Sequence, residues 1–163
     1  MGGDAYAYLC IPVRENRVSS WFPPRHAGNT VGCSETQGLM IFLGLGWNSR
    51  ATLTQAQACI ALALAQQADK ELSALAVPAF RHTENLPLQV AKWLGTRIVW
   101  VELAAMQQVN AQCQTVSARS MRHTGVASVS EACALVAAGP QGKLIVPRCS
   151  MNGVTCAVAE GDI

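Results

Sequence analysis

From Leu39 onward, short apolar runs bounded by glycine alternate with stretches that carry helix caps, and few architectures accommodate that rhythm. Leu39–Gly46 is an uninterrupted apolar run ended by glycines, the pattern of a strand buried on both faces. Thr54 with Gln57 forms a T-x-x-Q box that predicts a helix start, continued by Ala58, Ile60, Ala61, Leu62 and Leu64. Ser73–Phe80 predicts a second strand. Pro87, then Val90, Ala91 and Leu94, then Gly95, predicts a second helix with proline first and glycine last. Ile98–Val101 is a third strand, with a helical stretch around Leu103–Asn110, and residues 112–124 are polar and show no period. Ser128 with Glu131 makes a second capping box, opening a helix over Val129–Ala138 that Gly139-Pro140 stops. Leu144–Pro147 and Val154–Ala159, joined through Asn152-Gly153, predict a hairpin. The expected fold is α/β: a three-layer α/β/α arrangement around a mainly parallel, mixed sheet with a C-terminal hairpin.

Before residue 40 the pattern is different. Residues 1–39 hold Pro12, Pro23, Pro24 and five of the thirteen glycines without a helical period. They are expected to be an irregular extension with a short strand around Tyr6–Val13, leaving 40–163 as the domain, in a chain whose 163 residues make about one domain. Twelve Lys and Arg against ten Asp and Glu leave a net charge of +2, too balanced for a dedicated nucleic-acid binder. Mean hydropathy is +0.21, yet the longest uncharged run, Ala51–Ala68, is interrupted by Thr52, Thr54, Gln55, Gln57, Gln66 and Gln67. No spanning segment is expected. The N-terminus lacks the basic and apolar blocks of a signal peptide. Seven cysteines, none in a CxxC, argue against a disulfide framework or zinc ribbon and for buried thiols in a reducing cytoplasm.

Three segments carry residues suited to chemistry. In Gly44-Leu-Gly46-Trp-Asn-Ser-Arg50-Ala-Thr52, glycines at a strand end and a following helix start could cradle an anion, with Arg50 as a cation and Trp47 as cover for a flat ligand. A tight turn with capping hydroxyls explains the same residues. In Arg81-His-Thr-Glu84, Arg81 could clamp a carboxylate and Glu84 act as acid or base, at the strand ends where open α/β sheets collect ligands. A solvated loop, with Glu84 favouring a nearby helix N-terminus, is the alternative. In Ser117–Glu131, Arg119 and Arg122 could anchor anions, while Glu131 reads as a capping residue ahead of a functional one. His26, His82 and His123 lie in unrelated contexts, so no catalytic triad and no metal or cofactor site is expected. Cys59 and Cys133 read as small core residues.

Together these segments resemble the CobE/CbiG C-terminal family of cobalamin biosynthesis. Gly44-Leu45-Gly46 through Arg50 and Thr52 matches its first block, and Arg81 with Glu84 its second. Gly125-Val-Ala-Ser128-Val129-Ser-Glu131-Ala-Cys-Ala-Leu135 matches the third and most specific block. Arg148 and Thr155-Cys-Ala157 match the terminal strands. Departures are Trp47-Asn48-Ser49 where the family usually has Cys-Arg, and arginine at two family lysines. A single domain of this size resembles the stand-alone CobE members. The resemblance implies work on a precorrin or cobalt-precorrin, a small-molecule tetrapyrrole. It leaves open contacts with other cobalamin-pathway enzymes or with a second copy of the chain.

The ligand so implied is a flat macrocycle fringed with carboxylates, which calls for separated cations, backbone N–H groups and an apolar wall. The expected binding residues are Gly44, Gly46, Trp47, Arg50, Thr52, Arg81, Arg119, Ser128 and Arg148. A binding or accessory protein is the leading expectation. The alternatives are a hydrolase of a ring lactone with Glu84 or Glu131 as acid/base, and a nucleotide-binding domain using the Gly44/Gly46 turn.

Overall fold

The central strand, β1 (Met40–Trp47), is buried along nearly its whole length because both of its faces and both of its edges are covered. A computed structural model describes residues 39–162; the expectation of an irregular extension with a strand at Tyr6–Val13 falls outside them. After β1 come α1 (Leu53–Leu64), β2 (Glu71–Pro78), a 3₁₀ turn (Ala79–Arg81), α2 (Leu86–Leu94) and β3 (Arg97–Val101). There follow α3 (Leu103–Gln108), a second 3₁₀ turn (Asn110–Gln112), α4 (Ala118–Thr124), α5 (Val129–Ala138), β4 (Lys143–Met151) and β5 (Val154–Gly161).

The sheet order is β3-β2-β1-β5-β4. β1 pairs with β2, and β2 with β3, in parallel; β5 pairs with β1 and β4 antiparallel. The α/β fold with a mixed sheet and a C-terminal hairpin is therefore present. Asn152 (φ 49) and Gly153 (φ 83) supply the two left-handed residues of the hairpin turn.

Alternation along β1 sorts its side chains between two layers. Ile41, Leu43, Leu45 and Trp47 join Ala56, Cys59, Ile60 and Ala63 of α1 and Val90 and Ala91 of α2 in one core. Phe42 faces the other way, packing with Ala134, Leu135 and Ala138 of α5. Gly44 and Gly46 share that second face. They lie inside the strand, so the chain turns only after Trp47, at Asn48–Ala51. A Cβ on Gly44 would overlap the Ser130 carbonyl oxygen and crowd the Ala134 nitrogen. The absent side chain lets the α5 backbone lie directly on the strand.

Several boundaries differ from expectation for local reasons. The capping box of α1 is Thr52–Gln55, not Thr54–Gln57: Gln55 N donates to Thr52 Oγ1 (3.4 Å) and Thr52 N to Gln55 Oε1 (3.0 Å). Both pairs fit T-x-x-Q, but Thr52 has the extended backbone an N-cap needs and follows directly on the turn. β2 ends at Pro78, so Phe80 belongs to the 3₁₀ turn. β4 runs past Pro147 to Met151 through a register shift between Val146 and Cys149. Proline has no N–H for the ladder, and an edge strand tolerates that gap. α4 occupies part of the unplaced polar stretch and buries no residue, which explains its lack of an apolar period. It is held by its caps, Ser117 Oγ accepting from Ser120 N and Gly125 closing in the left-handed region (φ 68). Among the described residues, no helix is long and apolar enough to cross a membrane.

Gly44→Ala should destabilise the fold by about 3 kcal/mol or more, because backbone rather than a mobile side chain occupies the space. Urea unfolding followed by circular dichroism checks this. An unchanged midpoint would show that α5 can move off β1 at little cost.

Candidate functional site

The carboxyl ends of β1 and β2 release two loops side by side, and a cleft of about 570 Å³ lies between them. Residues 47–49 and 51–53 line one side, and residues 83–86 with Gln89 the other. Asn48 shapes the first loop. Its N–H donates to the Gly153 carbonyl (2.9 Å), tying the loop to the hairpin turn, and its Oδ1 accepts from Arg50 N (2.9 Å).

Trp47, Arg81 and Glu84 form one connected unit. Arg81 Nε donates to Glu84 Oε1 (2.6 Å) and Nη2 to Oε2 (3.0 Å), a bidentate pair. Trp47 Nε1 donates to Glu84 Oε2 (2.6 Å), and Arg81 Nη1 donates to the Trp47 carbonyl. The guanidinium also lies over the indole, 4.6 Å from its centroid. Burial alone would raise the Glu84 carboxyl. The hydrogen bonds from Arg81 and Trp47, with the Arg81 charge, outweigh that and hold it below its ordinary value of 4.5. Glu84 is thus an ionised, partly exposed carboxylate whose charge is matched by Arg81. Three of the five Arg81 N–H groups are engaged in this way, which leaves two for a further acceptor.

The other expected site residues divide clearly. Thr52 lines the cleft and caps α1. Arg50 is exposed on the same loop but outside the lining. Gly44 and Gly46 serve the packing of β1, with Gly46 against the Thr155 hydroxyl. Arg119 is exposed on α4 and Arg148 half-buried on β4, and neither lines the cleft. Among the described residues, Arg50, Arg119 and Arg148 form no ion pair with an acid, and no group of three His, Cys, Asp or Glu could hold a metal.

Ser128 and Glu131 correct the second capping box. Ser128 stands at the N-cap of α5, but its hydroxyl faces Ser130 Oγ (3.4 Å) and caps nothing. Glu131 is fully buried and accepts four hydrogen bonds from elsewhere. Gln114 N (2.7 Å) and Thr115 N (3.1 Å) donate to Oε2, and Thr115 Oγ1 (2.8 Å) and Arg148 N (2.8 Å) to Oε1. Its partners lie 16 or 17 residues away on a loop and on β4, out of reach of any local pattern. So enclosed, Glu131 presents no free oxygen to a substrate; it joins the 113–117 loop and β4 to α5. Sequence reasoning did not single out Asn48, although its place after a strand, two residues before Arg50, is a usable turn signal.

The chain matches the family described as "Cobalamin synthesis G C-terminus" over residues 41–159. Three solved structures are similar. A crystal structure of CobE, a protein from the cobalamin (vitamin B12) biosynthetic pathway, aligns with a TM-score of 0.69 at 23% identity, over 75% of this chain and 90% of that one. Cobalamin biosynthesis protein chiG from Agrobacterium tumefaciens str. C58 aligns at 0.58 and 30% identity, over 74% and 97%. A cobalamin biosynthesis protein G homolog from Sulfolobus solfataricus aligns at 0.56 and 21% identity, over 76% of this chain but 37% of its own. None of the curated proteins matches the chain in sequence.

Two outcomes follow from these geometries. Glu131→Gln places an NH₂ against two donors and should cost at least about 2 kcal/mol in urea unfolding; an unchanged midpoint would contradict the four-donor arrangement. Glu84 titrates lower in the folded chain than its ordinary 4.5, so its stabilisation is complete above that value and is lost as pH falls through the folded value. With 39% of the side chain exposed, the pair is worth about 0.5–1 kcal/mol. The melting difference between wild type and Glu84→Gln should therefore be largest near neutral pH and vanish well below 4.5. A difference that grows on acidification would be the wrong sign.

Proposed function

The chain belongs to the cobalamin synthesis G C-terminus family and is a cobalamin biosynthesis protein, and on that premise we propose that it binds a precorrin, or its cobalt form, by one edge in the β1/β2 cleft. The observation that carries this reading is the cleft itself: a concavity at the carboxyl ends of parallel strands, walled by Trp47 and opening on the first turn of α1. That turn contains no acidic residue, and its first amide N–H groups have no partner within the helix, so its positive end can meet a ligand carboxylate. Matched by Arg81, Glu84 does not present an uncompensated negative charge to a poly-acid. Arg50, exposed on the same loop, adds a steering cation. Trp47, only 8% exposed, serves as part of the wall rather than as a stacking platform.

A second reading is hydrolysis of a ring lactone. Glu84 is the carboxylate that lines the cleft, and it would have to act as a base, since its neighbours keep it ionised. Loss of turnover with retained binding in Glu84→Gln would favour that reading over binding alone.

Charge placed in the cleft tests the proposal. In titrations with a corrin bearing free acetate and propionate side chains, Ser49→Glu should raise Kd roughly tenfold or more, while Arg119→Glu leaves it within about twofold. Equal effects, or weakening by Arg119→Glu alone, would move the ligand away from the cleft.

A further inference from the structure

Three of the cysteines meet on the α1 side of the sheet. Cys59 on α1 and Cys156 on β5 are fully buried, and Cys149 on β4 is half-buried, within reach of small solutes. Cys59 and Cys149 bring their Sγ atoms to 3.8 Å. Cys149 and Cys156 face each other across the β4–β5 ladder, and Cys149 Sγ lies 3.5 Å from the Cys156 carbonyl oxygen. All three are free thiols. Isolated apolar core positions do not account for three sulfurs gathered between a helix and an edge hairpin.

We propose that Cys59 and Cys149 are a peroxide-reactive pair that closes to a reversible disulfide between α1 and β4. Cys149 is the entry point, because it is the accessible member and its strand lies at the sheet edge. Hydrogen bonds from the Cys156 and Cys59 thiols pull the Cys149 thiol well below its ordinary value, favouring the nucleophilic thiolate. Its sulfur attacks one oxygen of a hydroperoxide. An S–O bond forms, the O–O bond breaks and hydroxide leaves to become water, so sulfur is oxidised to the sulfenic acid as the peroxide is reduced. Cys59 sulfur then attacks that sulfur: the S–S bond forms, the S–O bond breaks, and the hydroxyl departs as water with the Cys59 proton. Two thiols and one hydrogen peroxide yield one disulfide and two waters.

Closing 3.8 Å to about 2.05 Å needs movement of one side. β4 can supply it, since its ladder is already shifted between Val146 and Cys149. The bridge would fasten α1 to the hairpin whose turn holds Asn48. It does not depend on what the cleft binds.

The test is peptide mapping of the full chain after hydrogen peroxide and alkylation. The expected product is a Cys59–Cys149 peptide pair lighter by two hydrogens, restored by dithiothreitol. In Cys59→Ser, dimedone should label Cys149 roughly tenfold faster than the half-buried Cys113 of the same chain. This second arm stands even if the oxidised wild type is hard to digest. Cys59 still reduced after Cys149 is consumed would overturn the proposal. So would Cys149 linked to Cys156, Cys10 or Cys33, or Cys149 labelled no faster than Cys113.

Discussion

The direct contact of α5 with β1 is the constraint on which the rest of the molecule depends. It exists because Gly44 has no Cβ, so the Ser130 carbonyl and the Ala134 nitrogen can lie against the strand. With α5 seated there, that face of the sheet is covered by α5 together with Met106 of α3, and the N-terminus of α5 comes to the carboxyl end of β1. Glu131, in its first turn, can then collect the 113–117 loop and the backbone of Arg148. Four donors, two on each oxygen, satisfy this buried carboxylate and tie the loop and β4 to α5 at one point.

The opposite face is thereby left to α1 and α2, and their loops leave β1 and β2 next to each other. That is where the cleft forms. Its electrostatics come from one cancellation and one open end. Arg81 neutralises Glu84 while lying over Trp47, and the start of α1 remains free of acids. On the proposed reading, a poly-acid would meet that positive end without an uncompensated carboxylate opposing it. The number of arginines in the chain matters less than which of them are already engaged.

The local parts of this arrangement were legible in the sequence. The continuous apolar run of β1, the proline-first and glycine-last limits of α2, and the Asn152-Gly153 turn are each decided within a few residues. Two equivalent T-x-x-Q boxes were not separable, since the choice depends on where the preceding turn ends. The tertiary parts were hidden. Ser128 and Glu131 have the spacing of a capping box, yet the carboxylate reaches partners 16 or 17 residues away. Gly44 and Gly46 resemble a phosphate-binding bend in sequence and are contact residues in the fold. Trp47 and Arg81 were each suspected separately, and only the parallel pairing of β1 with β2 makes them neighbours. The thiol cluster likewise joins residues 90 positions apart.

The most direct measurement of the central claim is a crystal structure of the full chain with a corrin polycarboxylate bound. The account predicts the edge of the macrocycle beside Trp47, between residues 48–53 and 83–89, with a side-chain carboxylate at the first amides of α1. A macrocycle seated on α4 beside Arg119, with the cleft vacant, would contradict it.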